Sequence, residues 1–323
     1  MKASNFKIWF GQLSQLSRKQ RDQIKQHLTQ DVQQLEVIKV LEESKAPCCP
    51  ACQSSHFYRW GYQAGLQRYR CRTCKHTFTT LSETPLAHLR HKEQWLNYCA
   101  GMIEGLTVRA NAKQCGIDKN TSFRWRHRFL KYPAVTKPSQ MQGIVEVDET
   151  FFPYSCKGQR DLDRPARKRG KQIHTRGTGK DQVPVLVVRD RTGVTADFKL
   201  IADNAATVGV PLRNLLSKDA ILCSDGSPIY KAVARELNIT HRPVNLAAGI
   251  RVVAKVYHIQ NVNAYDSRLK GWMQRFHGVA TKYLENYLGW RRWLERWGEF
   301  NSPQIALQAI LGCENHFQLL MQT

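Results

Sequence analysis

Two cysteine pairs constrain this chain more than any other feature. Cys49-Pro-Ala-Cys52 is followed, after 18 residues, by Cys71-Arg-Thr-Cys74. Each pair can form a tight turn that points two thiolates at one ion, and two such turns close a tetrahedral Cys₄ site. Such a site requires the intervening chain to run out and back as a small β-rich module, here residues 45–84, punctuated by Gly61 and Gly65. One structural Zn²⁺ per chain is expected there, with disulfides or free thiols as the alternative. Cys48 lies beside the first pair, but its distance to Cys52 is less typical of a zinc turn. His56 and His76 read as surface histidines. The other cysteines, Cys99, Cys115, Cys156, Cys223 and Cys313, read as small apolar residues, like Cys48.

Around this module the pattern changes repeatedly over 323 residues, enough for about two domains. Residues 1–44 carry Phe6, Ile8, Phe10, Leu13, Leu16, Ile24, Leu28, Leu35, Val37 and Leu41 at helical spacing, and predict one or two amphipathic helices. The helical period returns over 85–135. One helix over 92–104 turns Trp95, Leu96, Cys99 and Ile103 inward. After Gly116, Asp118 caps a second helix that runs to about residue 130. Helix, glycine turn, helix is the outline of a helix-turn-helix. With Phe123 and Leu130 facing inward, Asn120, Thr121, Arg124 and Arg128 form the open face, and their side chains suit bases and phosphates. An ordinary helical hairpin with a basic face is the alternative.

Charge singles out the partner. There are 49 Lys and Arg against 26 Asp and Glu, a formal +23 that self-repels unless a polyanion balances it. Nucleic acid is the expected partner, with an anionic membrane surface as the runner-up. The longest apolar run, 183–188, is far too short to span a membrane, and the N-terminal sequence does not read as a signal peptide. These features predict a cytoplasmic protein rather than a secreted or membrane-spanning one. Within 157–180, nine Lys or Arg, including Arg167, Lys168 and Arg169, stand against Asp161 and Asp163. This basic insertion, placed at 155–182, is either solvated or grips phosphate.

Residues 140–300 read as three strands, a helix, a strand, a helix, a short strand and a long helix. That is the order of an RNase H-like α/β domain, a mixed sheet with flanking helices, and residues 301–323 follow as a last helix. Asp148 ends up on the first strand and Asp225 at the end of the fourth, so the sheet brings them together in an otherwise basic chain. Facing carboxylates repel unless cations lie between them. Mg²⁺, which Mn²⁺ can replace, suits such ligands. Two ions would clamp the attacking and leaving oxygens of a displacement at phosphorus. On the last long helix Asn263, Asp266 and Lys270 share a face at i, i+3 and i+7, so Asn263 or Asp266 can supply a third ligand. Trp290, Trp293 and Trp297 form a second stripe, read as core.

The motifs CPAC…YRCRTCKHTFT, TSFRWRHR, VEVDETFF, CSDGSPIY and HIQNVNAYDSRLKGW, in this order, resemble the DDE-type insertion-element transposases that carry an N-terminal zinc ribbon. The resemblance implies an enzyme that binds element ends, cuts DNA and joins a 3′-OH to a target with Mg²⁺. It assigns Asp148, Asp225 and Asn263 as the catalytic, metal-holding residues, the last in the place of the family's commoner Glu. Because transposition joins two ends, it also implies a homodimer or higher oligomer on DNA. The rival readings are a non-catalytic DNA-binding regulator descended from such an enzyme and a two-metal nuclease that cuts without joining.

Overall fold

In a computed structural model the described residues are 2–44, 48–162, 179, 181–245 and 248–312. The expected phosphate contacts Arg167, Lys168 and Arg169, and most of the basic insertion around them, lie outside the described residues. The chain forms two compact units, Met1–Arg128 with Asn301–Thr323, and Phe129–Phe300.

The first unit opens with helices α1 (Ala3–Gln12) and α2 (Arg18–Ser44). Of their apolar residues, α2 buries only Val37, Val40 and Leu41, while Phe6, Ile8, Phe10, Leu28 and Leu35 stay exposed. A three-stranded antiparallel sheet follows: β1 (Phe57–Gln63), β2 (Leu66–Cys71) and β3 (Thr77–Phe78). Then come α3 (Trp95–Ile103), α4 (Val108–Gln114) and α5 (Lys119–Phe129). Thr107 caps α4 by accepting from the Ala110 N–H at 3.3 Å. Gly101 lets α4 come close to α3, since a Cβ there would lie 2.4 Å from Asn111 Oδ1. Helix Pro303–Ile310 packs against α3 and α2, burying Ala306, Leu307, Ala309 and Ile310.

The inner face of α5 differs from the sequence expectation by a rotation. Ser122, Trp125 and Arg126 are buried, whereas Phe123 is 42% exposed. The tryptophan decides this: Trp125 stacks edge-on against Trp95 and Tyr98 of α3, which buries more apolar area than Phe123 could.

The second unit begins with the short α6 (Lys131–Val135) and is built on a five-stranded sheet. Its strands are β4 (Ile144–Pro153), β5 (Gln182–Asp190), β6 (Thr195–Lys199), β7 (Ile221–Ser224) and β8 (Thr240–Pro243). The spatial order is β6-β5-β4-β7-β8. β5 is antiparallel to both its neighbours, while β4, β7 and β8 are parallel. Parallel neighbours need crossover helices. These are α7 (Ala205–Leu215), capped by Asn204, and α8 (Pro228–Leu237), capped by Ser227 with proline in its first turn. Both cover the face that carries Val145, Val147, Leu186 and Val188. α9 (Gln260–Gln274) lies on the other face against β4 and β5, and α10 (Leu284–Trp297) packs on β6 and α6. Gly289 is required for that last contact, because a Cβ there would sit 2.2 Å from the Pro133 carbonyl oxygen. Trp290, Trp293 and Trp297 are all buried, as their spacing predicts. A mixed sheet in this order with helices on both faces is the RNase H-like fold.

Candidate active site and metal centre

Alternation along β4 sorts its side chains onto two faces. Val145, Val147 and Glu149 point toward α7 and α8, while Glu146 and Asp148 point toward α9. The pairing of β4 with β7 runs Ile144 with Ile221 through Glu146 with Cys223. Continued for two residues, that register sets Asp225 opposite Asp148, at the point where β7 ends. Asp225 then turns the chain into α8: its Oδ1 accepts the Ser227 N–H at 2.9 Å, across Gly226 at φ +87°. Asp148 is half-buried and Asp225 exposed, so the pair opens to solvent on one side.

The electrostatics are those of a crowded acidic site. Burial, together with the Asp225 charge, raises the Asp148 carboxyl to about 6, against the opposing pull of the Glu149 N–H and Lys270. Asp266 of α9 rises further, to about 8, through burial and the Asp148 charge, with Lys270 again opposing. Its Oδ1 is buried without a hydrogen-bond partner. On the other face Glu149 is raised to about 7 by burial and by Asp203, Asp148 and Asp225, although Tyr230 lowers it. Burial and Asp225 also raise Asp203. Five carboxylates thus share one end of the sheet. Asn263 is half-buried on α9, one turn before Asp266. The stranded oxygen of Asp266 gives that residue a claim to the third-ligand place that spacing alone could not weigh.

A second cluster holds the site together. Glu146 is fully buried and caps the first turn of α9. It accepts from the Asn261 N–H (2.8 Å), the Val262 N–H (3.0 Å), Asn261 Nδ2 (2.9 Å) and Arg191 Nη1 (2.6 Å), and His258 Nδ1 lies 3.4 Å away. A carboxylate on β4, two residues from Asp148, therefore fixes where α9 starts. The sequence reading missed this use of Glu146, Arg191, His258 and Asn261. The available signal was a carboxylate on the same strand face as Asp148, in a strand otherwise apolar at that end.

In the first unit the four thiols converge. Cys49 and Cys74 Sγ are 3.4 Å apart and Cys52 and Cys71 Sγ 3.6 Å, with all four sulfurs within 4.8 Å of one another. Four sulfurs on a tetrahedral zinc sit about 3.8 Å apart, given a Zn–S bond of about 2.3 Å, so the group is close to the arrangement that a zinc ion requires. The Cys74 and Thr73 N–H groups pull Cys71 down to about 6. Cys49 and Cys71 are buried with Phe78 against Phe57 and Tyr69. Among the described residues no other group of three or more His, Cys, Asp or Glu ligand atoms lies this close together. The carboxylates of the second unit are more widely set. Their donors are all oxygens, the ligand type a hard cation prefers when it takes few protein ligands and completes its shell with phosphates and water.

On α5, Asn120 and Arg124 are exposed and Thr121 is half-buried. Arg128 is exposed too, but its guanidinium is engaged within the chain, donating to the Pro85 carbonyl and, at 2.8 Å, to the Ala87 carbonyl.

Residues 140–294 match the family profile of the ISXO2-like transposase domain. This segment fits a DDE-type insertion-element transposase family. It contains Asp148, Asp225, Asn263 and Asp266 and stops within α10. No curated protein matches the chain. Among solved structures, a pre-cleavage Mos1 transpososome is 15% identical over 70% of this chain and 77% of that one, with a TM-score of 0.28. The Mos1 mariner paired end complex with Mn is 16% identical over 69% and 75%, at 0.26. A simian T-cell lymphotropic virus intasome in complex with PP2A regulatory subunit B56 gamma is 10% identical over 60% and 66%, at 0.28. The RNase H-like fold of the second unit rests on its own strand order. No helix among the described residues is long and apolar enough to cross a membrane.

Proposed function

We propose that the chain is the DNA transposase of an insertion element, which binds the element ends and catalyses Mg²⁺-dependent strand cleavage and transfer. The observation that carries this is the register of the parallel strands β4 and β7, which continued past the end of β7 puts Asp225 opposite Asp148, with Asp266 of α9 close enough for the Asp148 charge to help raise its carboxyl. Asp148 and Asp225 would hold Mg²⁺ or Mn²⁺, with Asn263 or Asp266 as the third ligand from α9. When bound, the metal activates the attacking oxygen and neutralises charge on the leaving one. Lys270 offsets part of the carboxylate charge around Asp148. The orphaned Oδ1 favours Asp266 as a ligand. Asn263 remains the family-matched position.

End recognition is assigned to α4 and α5 acting as a helix-turn-helix, with Asn120, Thr121 and Arg124 toward the groove and the zinc ribbon alongside. Arg167, Lys168 and Arg169 add phosphate contacts. Two ends must be joined, so the active species is at least a homodimer on DNA. Its workplace is the nucleoid of a prokaryotic cytoplasm. The test is a strand-transfer reaction with end DNA and Mg²⁺. Joined product supports the transposase, cleavage without joining supports a two-metal nuclease, and binding without cleavage supports a regulator. Asp148→Ala and Asp225→Ala should each abolish both chemical steps and leave end binding intact, since DNA affinity comes mainly from cationic contacts.

A further inference from the structure

The outer face of the zinc ribbon has no part in the site above. Pairing of β1 with β2 sets Tyr58 opposite Arg70 and Arg59 opposite Tyr69, so the two sides of the sheet differ. The inner side holds Phe57, Tyr69 and Phe78 over Cys49 and Cys71. The outer side holds Tyr58 and Trp60, their rings 5.6 Å apart at 90°, interleaved with arginines. The Arg70 guanidinium lies 5.0 Å from the Trp60 ring centre and that of Arg72 5.1 Å from the Tyr58 ring centre. Arg68 is held across the strands by its bond to the Trp60 carbonyl at 2.9 Å. Trp60 is 42% exposed. Among the described residues none of the three arginines has a carboxylate partner.

Cross-strand cation–π pairs stabilise a small sheet. This ribbon, however, already has an aromatic inner face and a closed set of four thiols. A half-exposed tryptophan and three arginines without carboxylate partners on the other side add a solvation cost and a charge that folding does not require. We infer that this outer face binds single-stranded DNA, with bases stacking on Trp60 and Tyr58 and phosphates lying along Arg68, Arg70 and Arg72. In a duplex the bases stack on each other and present only edges and phosphates, so partly exposed rings flanked by arginines suit a strand whose bases are free to stack on them. Arginine charge complements the strand and makes binding salt-dependent. The inference deepens the proposed DNA role, assigning the ribbon the unpaired strand and leaving duplex ends to α5. Its failure can be told apart from failure of that role, because duplex binding and strand transfer are read on the same preparations.

The experiment uses the full-length, zinc-loaded chain and fluorescence anisotropy with a labelled thymidine oligomer of ~20 nucleotides and a duplex of equal length. Stacking energies of about 1–3 kcal/mol per base predict that Trp60→Ala weakens single-strand binding roughly tenfold or more. Duplex binding should stay within about twofold, and Trp60→Phe should restore most of the loss. Arg72→Gln, at an exposed position, should weaken single-strand binding and flatten its salt dependence. Equal losses on both DNAs, no loss on either, or identical behaviour of Trp60→Ala and Trp60→Phe would overturn the inference. So would a uridine oligomer that binds tenfold tighter than the thymidine one. If Trp60→Ala loses its zinc, Trp60→Phe and Arg72→Gln decide the matter.

Discussion

Replacing Glu146 by Gln tests how the candidate active site is held together. The substitution keeps the shape but removes the charge that faces Arg191 Nη1 at 2.6 Å, and one of the two oxygens that accept from α9 becomes a donor. Breaking a buried ion pair costs about 3–5 kcal/mol, and a hydrogen bond to a charged group contributes about 1.5–3 kcal/mol. Arg191 keeps 27% of its side-chain exposure, so water can take over part of its solvation, and the expected loss is nearer 2–4 kcal/mol by that comparison. Chemical denaturation of the full chain measures it. Because α9 carries Asn263, Asp266 and Lys270, its first turn should also loosen, and cleavage should need more Mg²⁺ for half its maximal rate. A double-mutant cycle with Arg191→Met separates the ion pair from the helix cap. A loss below about 0.5 kcal/mol with an unchanged Mg²⁺ requirement would refute the argument that Glu146 sets the position of α9.

Three further outcomes are expected. Cys71→Ser should release the single zinc and expose the amides of residues 48–84 to hydrogen exchange, since a structural zinc site contributes roughly 10 kcal/mol to folding; retained protection without metal would remove the zinc assignment. Asp266, raised from 3.8 to about 8, favours its neutral form in the fold. Its contribution to the stability of the Mg²⁺-free chain should therefore be full below pH ~4 and fall as pH rises toward ~8, by at most about 1.4 kcal/mol per unit. Asp266→Asn should flatten that fall in a melting-temperature series, and a flat wild-type profile would contradict the burial argument. Arg124→Ala should weaken end binding without loss of stability. Arg128→Ala should instead cost about 1 kcal/mol of stability, because its hydrogen bonds to the Pro85 and Ala87 carbonyls are lost. Equal effects of the two on DNA binding would mean that Arg128 also reaches the duplex.

Local spacing in the sequence determined much of this protein. Two CxxC turns can serve one ion only if the chain between them doubles back, so the ribbon was legible before any coordinates. The continuous apolar run of β5 and the succession of β and α periods likewise determined the order of the five-stranded sheet, and with it the placing of Asp225 opposite Asp148. What only tertiary structure decided depends on which side a residue faces and on what comes back from far along the chain. Trp125 outcompeted Phe123 for the core because Trp95 and Tyr98 of another helix were there to receive it. Arg128 looked free to meet DNA until carbonyls more than forty residues away occupied it. Glu146 became a helix cap because residues 258–262 returned to it across more than a hundred positions. Asp266 gained its raised carboxyl only when α9 buried it beside Asp148. Spacing along a chain encodes local geometry, but burial and long-range pairing arise only when separate elements close on one another.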